Sequence, residues 1–269
     1  VNSFTSWATS TSFLFFLTAP ASALVNIAQT PMVAFPYLGG KFGYGKTFSA
    51  LSQASKDFFA SGIGKDRGFY DVIRTLKERA KEEGISDLER KRRQEELGAM
   101  EKLYEDGTLN RTQTLSLAGL AERPSDVLQG GLGTVMRNKS FTTVQKVTYG
   151  LGYAFNQAEV FNRQITALAA YRLAKERGKT PDVALQMAKD IVNETHFEYT
   201  NATKPRFMQG PTARIIFQFK NYAQQMTYLL VRTLNEAVRD ADPEVKREAQ
   251  KRLGGILFMT GLFAGYEGL

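Results

Sequence analysis

The sequence predicts an all-α fold, an elongated bundle of several helices. Three observations carry that expectation. Apolar residues recur at steps of three and four along several long stretches. Helix-start signals precede them at Ser86, Thr180-Pro181 and Asp242-Pro243. No turn dipeptide sits between alternating apolar runs, and no βαβ alternation appears.

The 269 residues are 43% hydrophobic, enough for a core. Nineteen Phe and eleven Tyr are an aromatic excess that suits cores, large interfaces and membrane-facing bands. There is no Cys and a single His, His196, which excludes disulfides and thiolate metal sites and leaves few members for a nucleophile–base pair. No catalytic residue, metal ligand or cofactor is assigned.

Residues 1–64 are apolar, rich in Gly and Pro and nearly uncharged, which predicts short helices with connectors and a segment that can meet membrane. Residues 12–38 carry no charge, but Pro20, Pro31 and Pro36 interrupt a spanning helix. Gly40 to Thr47, GKFGYGKT, satisfies the P-loop pattern by letter. The preceding Phe35-Pro36-Tyr37 is a poor core strand, so flexibility, or close packing beside Phe42, Tyr44 and Phe48, is the expectation for its glycines.

Residues 65–111 carry twelve basic and twelve acidic side chains and read as a charged, solvated helical hairpin, 66–83 and 87–105. Ser86 and Glu89 form a capping box between them. Arg90-Lys91-Arg92-Arg93 is flanked by Glu89, Glu95 and Glu96 and reads as a salt-laced helix face. Residues 112–140 are a turn-rich linker.

Residues 141–269 form the long-helix bundle domain. A helix is expected from Phe141 to about Arg177, tolerating Gly150 and Gly152, and another from Pro181 toward His196. The helix over 212–240 carries a polar stripe that includes Arg214, Gln218, Gln225, Arg232 and Arg239; the rest of its surface is apolar, which predicts burial on several sides. A last helix from Pro243 is expected to stop at Gly254-Gly255, before an apolar tail.

Net charge is +8, and residues 201–234 carry Lys204, Arg206, Arg214, Lys220 and Arg232 with no acid. Such a stretch attracts phosphate or anionic lipid. Lys204, Arg206, Arg214, Gln218, Lys220, Gln225, Arg232 and Arg239 are therefore the candidate contacts to DNA phosphate or to a neighbouring subunit.

Asn193-Glu194-Thr195 through Asn201, then Arg206-Phe207 and Phe217-Gln218-Phe219-Lys220, resemble a helical module of very large bacteriophage proteins. These are the polyvalent proteins and the internal virion, or ejection, proteins of short-tailed phages. Thr18-Ala19-Pro20 to Leu38-Gly39-Gly40 is similar to the apolar opening of such modules. The resemblance implies packaging inside the capsid, homo-oligomeric rings on the portal with other virion core proteins, and passage with double-stranded DNA into a conduit across the host cell envelope. It carries no catalytic residue to any position. The chain starts at Val1 and stops at Leu269 within an apolar run, so a segment of a larger polypeptide is expected. Two other readings stay open: a membrane-associated helical protein with no DNA role, and a nucleotide enzyme using Gly40–Thr47.

Overall fold

The computed structural model describes residues 26–62, 70–110, 142–196 and 220–264, with isolated positions at 23, 136, 137 and 139. The fold class is all-α, as expected: among the described residues there is no strand. A π-helical turn, Thr30–Ala34, runs into α1, Phe35–Phe42, and Gly43 separates α1 from α2, Tyr44–Ala60. Gly43 has φ +94°, a left-handed region that a side chain would strain. The hairpin is α3, Val72–Ala80, and α4, Asp87–Glu105. Then follow α5, Thr143–Leu151; α6, Tyr153–Glu176; α7, Pro181–His196; α8, Lys220–Arg239; and α9, Pro243–Ala264.

Local signals place several of these ends. Ser86 Oγ accepts the Glu89 N–H at 3.2 Å, while the Glu89 carboxylate accepts from Arg93 Nε at 3.0 Å. Asp71 caps α3 through the Ile73 N–H at 3.0 Å, and Asp242 caps α9 through the Glu244 N–H at 2.8 Å. Each satisfies a first-turn donor that the helix cannot pair internally.

Helix α6 is the axis of the molecule. It packs against α2 on one side and α7 on another, with α4 and the π turn also touching it. The core runs through segments that the sequence separates: Val33 and Leu38, then Leu51 and Phe58, then Leu76, Met100 and Leu103, then Leu168, Ile191 and Val192. Val33, Ala34, Tyr37 and Leu38 of the uncharged stretch thus lie inside this core, while Ile27 is exposed. The α3–α4 hairpin is solvated on one face only.

Three helix expectations are corrected. The run from Phe141 is two helices, because the chain turns at Gly152 between α5 and α6. The last helix does not stop at Gly254-Gly255; α9 continues to Ala264, with Gly255 used as a contact point. And α8 is not buried on several sides over its described side chains. Leu229, Thr233 and Ala237 are buried, while Tyr228, Val231, Leu234 and Val238 are exposed. Its main neighbour is α9, and one neighbour covers one face.

A polar layer crosses the core at α6. Thr30 Oγ1 donates to Asn162 Oδ1 at 2.7 Å, and Asn162 Nδ2 donates to the Asn26 carbonyl at 2.6 Å. Gln29 Nε2 donates to the Thr195 carbonyl at 3.0 Å. Arg163 is buried and donates to the Thr108 carbonyl at 3.1 Å and to the His196 carbonyl at 3.2 Å. The second bond places a cation on the last carbonyl of α7, the negative end of that helix. Buried polar groups paired in this way cost little, and they key one helix register against another.

His196 ends α7 in this layer, buried, with Nε2 2.7 Å from Thr166 Oγ1. Burial, and then the Arg163 charge, hold its pKa well below the ordinary value of 6.5. The folded state keeps the ring neutral where the unfolded chain would take a proton, so stability falls as pH drops below about 6.5. The slope contributed approaches about 1.4 kcal/mol per pH unit. Urea melts of the wild type and His196→Gln at pH 7 and pH 5 should show a smaller loss on acidification in the variant; equal losses would assign the pH dependence to other groups.

Candidate functional site

The sequence-predicted contacts divide between described and undescribed residues. Lys204, Arg206, Arg214 and Gln218 lie outside the described residues, as does the side chain of Lys220, the first residue of α8. Gln225, Arg232 and Arg239 recur at intervals of seven, two helical turns apart, and so share one face of α8. Gln225 is half-buried, and Arg232 and Arg239 are exposed.

Arg232 is committed to carboxylates. Its Nη1 lies 3.1 Å from Glu194 Oε1 on α7, and its Nε lies 2.8 Å from Glu236 Oε1 one turn along α8. Burial disfavours the Arg232 charge, but these two carboxylates outweigh it and raise its pKa. Glu194 also accepts from the Tyr37 hydroxyl of α1. Burial pushes that hydroxyl's pKa up against the pull of Arg252, so it stays a donor. Arg252 of α9 closes the circuit: its guanidinium sits 3.9 Å from the centre of the Tyr37 ring, and Nη1 is 3.3 Å from Glu236 Oε2. Tyr37, Glu194, Arg232, Glu236 and Arg252 thus tie α1, α7, α8 and α9 into one ring.

The α8–α9 hairpin is seated on α1 by close backbone approach. A Cβ on Gly40 would stand 2.8 Å from the Glu248 carbonyl oxygen and 3.1 Å from the Arg252 nitrogen. The Tyr44 ring fills the space over Gly39 and reaches Gly255, and its hydroxyl donates to the Lys251 carbonyl at 2.6 Å. Most of the P-loop-like run is therefore spent on packing. A helix, not a strand, delivers the chain to it, and the Thr47 side chain is buried at 0% exposure. Gly40 serves close packing, but against α9 and not beside Phe42, Tyr44 and Phe48, and a Cβ on Gly43 or Gly45 would meet nothing within 4 Å.

On its outer side the hairpin is apolar. Nine of the sixteen large hydrophobic side chains exposed among the described residues belong to α8 and α9, so apolar exposure is concentrated there. On α8, Tyr228, Val231, Leu234 and Val238 are spaced by three or four, with Gln224 and Asn235 on the same exposed face. That is the pattern of a helix–helix seam carrying two amides. On α9 the exposed groups are Val245, Leu257, Phe258, Leu262 and Phe263. Arg239, Arg247 and Lys251 are offset by Asp240, Asp242 and Glu244, so the hairpin carries no strong excess of either sign.

Reading by residue type missed Tyr37, Glu194, Glu236 and Arg252. Each is unremarkable in its own helix, and only the meeting of four helices makes them a unit. Among the described residues no cluster of His, Asp and Glu is placed to hold a metal ion. No protein-family model, curated protein or solved structure matches this chain.

Proposed function

We propose that this chain is a structural, non-catalytic segment of an internal virion or ejection protein of a short-tailed bacteriophage. In this reading it assembles with copies of itself, and with other core or portal proteins, around a double-stranded DNA path inside the capsid. Later it engages the host cell envelope as the genome leaves. The resemblance at Asn193–Asn201, Arg206-Phe207 and Phe217–Lys220 supports the phage assignment. The observation that carries the assembly role is the outward seam of Tyr228, Val231, Leu234 and Val238, unpaired within the described residues. A helix with apolar residues at this spacing gains stability by burying them against another helix.

Sedimentation velocity tests the assembly role. The wild type is expected to self-associate, and Val231→Glu with Val238→Glu is expected to sediment as a monomer with unchanged helicity. A wild type that stays monomeric at high micromolar concentration overturns the assembly role. The DNA role predicts salt-sensitive binding to arbitrary duplexes that weakens when Arg214, Lys220 and Arg239 are neutralised together.

A second reading, a membrane-associated helical protein with no DNA role, is favoured by Phe258, Leu262 and Phe263 on α9. Among the described residues no helix is long and apolar enough to cross a membrane, so this reading lays the helix in the interface. Flotation with neutral liposomes, lost in Phe258→Ser with Leu262→Ser, together with no duplex binding, would select it.

A further inference from the structure

A cleft of about 390 Å³ opens between α2, α3, α4 and α6, away from the α8–α9 hairpin. Five cationic side chains line it: Lys56, Arg79, Arg92, Arg93 and Arg172. Leu76 is its one apolar residue, and the lining is more polar than apolar.

Four carboxylates also face the cleft, and each is already engaged by a guanidinium. Asp57 takes Arg79 Nη2 at 2.6 Å and Arg172 Nη2 at 2.7 Å. Glu96 is held bidentately by Arg172, with the Nη2 bond at 3.1 Å. Glu82 and Glu89 take Arg93 at 2.5 Å and 3.0 Å. The carboxylates therefore hold Arg79, Arg93 and Arg172 in position.

The cations are not used up in return. An arginine has five N–H donors and a lysine three, with no acceptor on either, so the lining carries many more donors than it has acceptors to meet them. Arg79 makes one close ion pair and is 42% exposed. Arg92 is 71% exposed and stands 3.9 Å from Glu89, beyond hydrogen-bond length. Lys56 has no hydrogen-bond or ion-pair partner among the described residues. What the cleft lacks is acceptor oxygen carrying negative charge.

We infer that this cleft binds a small phosphate-bearing molecule, with Lys56, Arg79 and Arg92 taking the oxyanion and the Arg172–Asp57–Glu96 unit holding the floor. Charge-assisted bonds to phosphate oxygens are the strong kind, and Arg79, already held by Asp57, loses little freedom in forming them. The site does not depend on the assembly role, because none of its residues lies on α8 or α9.

Isothermal titration of the whole chain with inorganic pyrophosphate at low salt tests the inference. The wild type is expected to bind one equivalent, and Lys56→Gln with Arg92→Gln is expected to weaken binding about tenfold or more. Both side chains are exposed, so the fold should survive, which circular dichroism checks. Arg239→Gln, on α8, is expected to bind as the wild type does. No saturable heat, or equal affinity in the double variant, overturns the inference. Duplex DNA binding that requires Lys56 and Arg92, with no response to pyrophosphate, overturns it in favour of a nucleic-acid contact.

Discussion

Gly40→Ala is expected to destabilise the chain by about 3 kcal/mol. The added methyl would lie 2.8 Å from the Glu248 carbonyl oxygen and 3.1 Å from the Arg252 nitrogen, both backbone atoms of α9. A side chain could swing away; a helix backbone has to move as a body. Moving it would loosen Arg252 from the Tyr37 ring and from Glu236, so one methyl disturbs the whole ring of α1, α7, α8 and α9. Gly98→Ala is the control. Nothing lies within 4 Å of a Cβ there, inside α4, and replacing a mid-helix glycine should add up to about 1 kcal/mol. Thermal melts of both variants check the pair. If Gly40→Ala melts like the wild type, the close approach of α1 and α9 is wrong.

Arg172→Met is expected to cost about 4 kcal/mol, as removal of one partner from a buried ion network does. The side chains of Arg172 and Glu96 are 12% exposed and that of Asp57 5%. Without the guanidinium, two carboxylates remain out of water, and Asp57 keeps only Arg79. Arg172→Lys keeps the charge but loses the fork that grips Glu96 with two bonds, so a loss between wild type and Met is expected. Arg90→Met, which removes an exposed i,i+3 pair with Asp87, should change stability by less than about 0.5 kcal/mol. Denaturant midpoints measured together give the order; equal effects of Arg90→Met and Arg172→Met would deny the buried network any special weight.

Elements whose cause is local were legible. Ser86 and Asp242 bond the amides expected of caps, and Pro181 and Pro243 open α7 and α9. The arginine run at 90–93 is the salt-laced face expected, but Arg93 also reaches across to Glu82 of the hairpin and to the Arg79 carbonyl at 2.8 Å. Elements whose cause is a partner were not legible. The central helix α6 carries Asn156, Glu159, Asn162, Arg163 and Gln164, all buried, where a polarity count expects solvent. The burial of Asn162 and Arg163 is tolerable because groups from remote segments, Asn26, Thr108 and His196, meet them. Helix α8 is the converse, with apolar residues left outside.

The candidate site divided along the same line. Arg232 could be picked out from an acid-free stretch, since net charge is additive along a chain. That Glu194 holds its guanidinium could not, because Glu194 lies 38 residues away on another helix. The cleft between α2, α3, α4 and α6 is assembled from residues 53 to 172, and no spacing within one helix signals it.

Alone, the sequence determined that the chain is helical and where many of its helices start, because periodicity, caps and prolines act over a few residues. Tertiary structure decided which helix is central, which polar groups are paired, and which apolar face is left outside. Those outcomes depend on the distance between atoms far apart in the chain, and a hydrogen bond or a methyl contact is won or lost within an ångström.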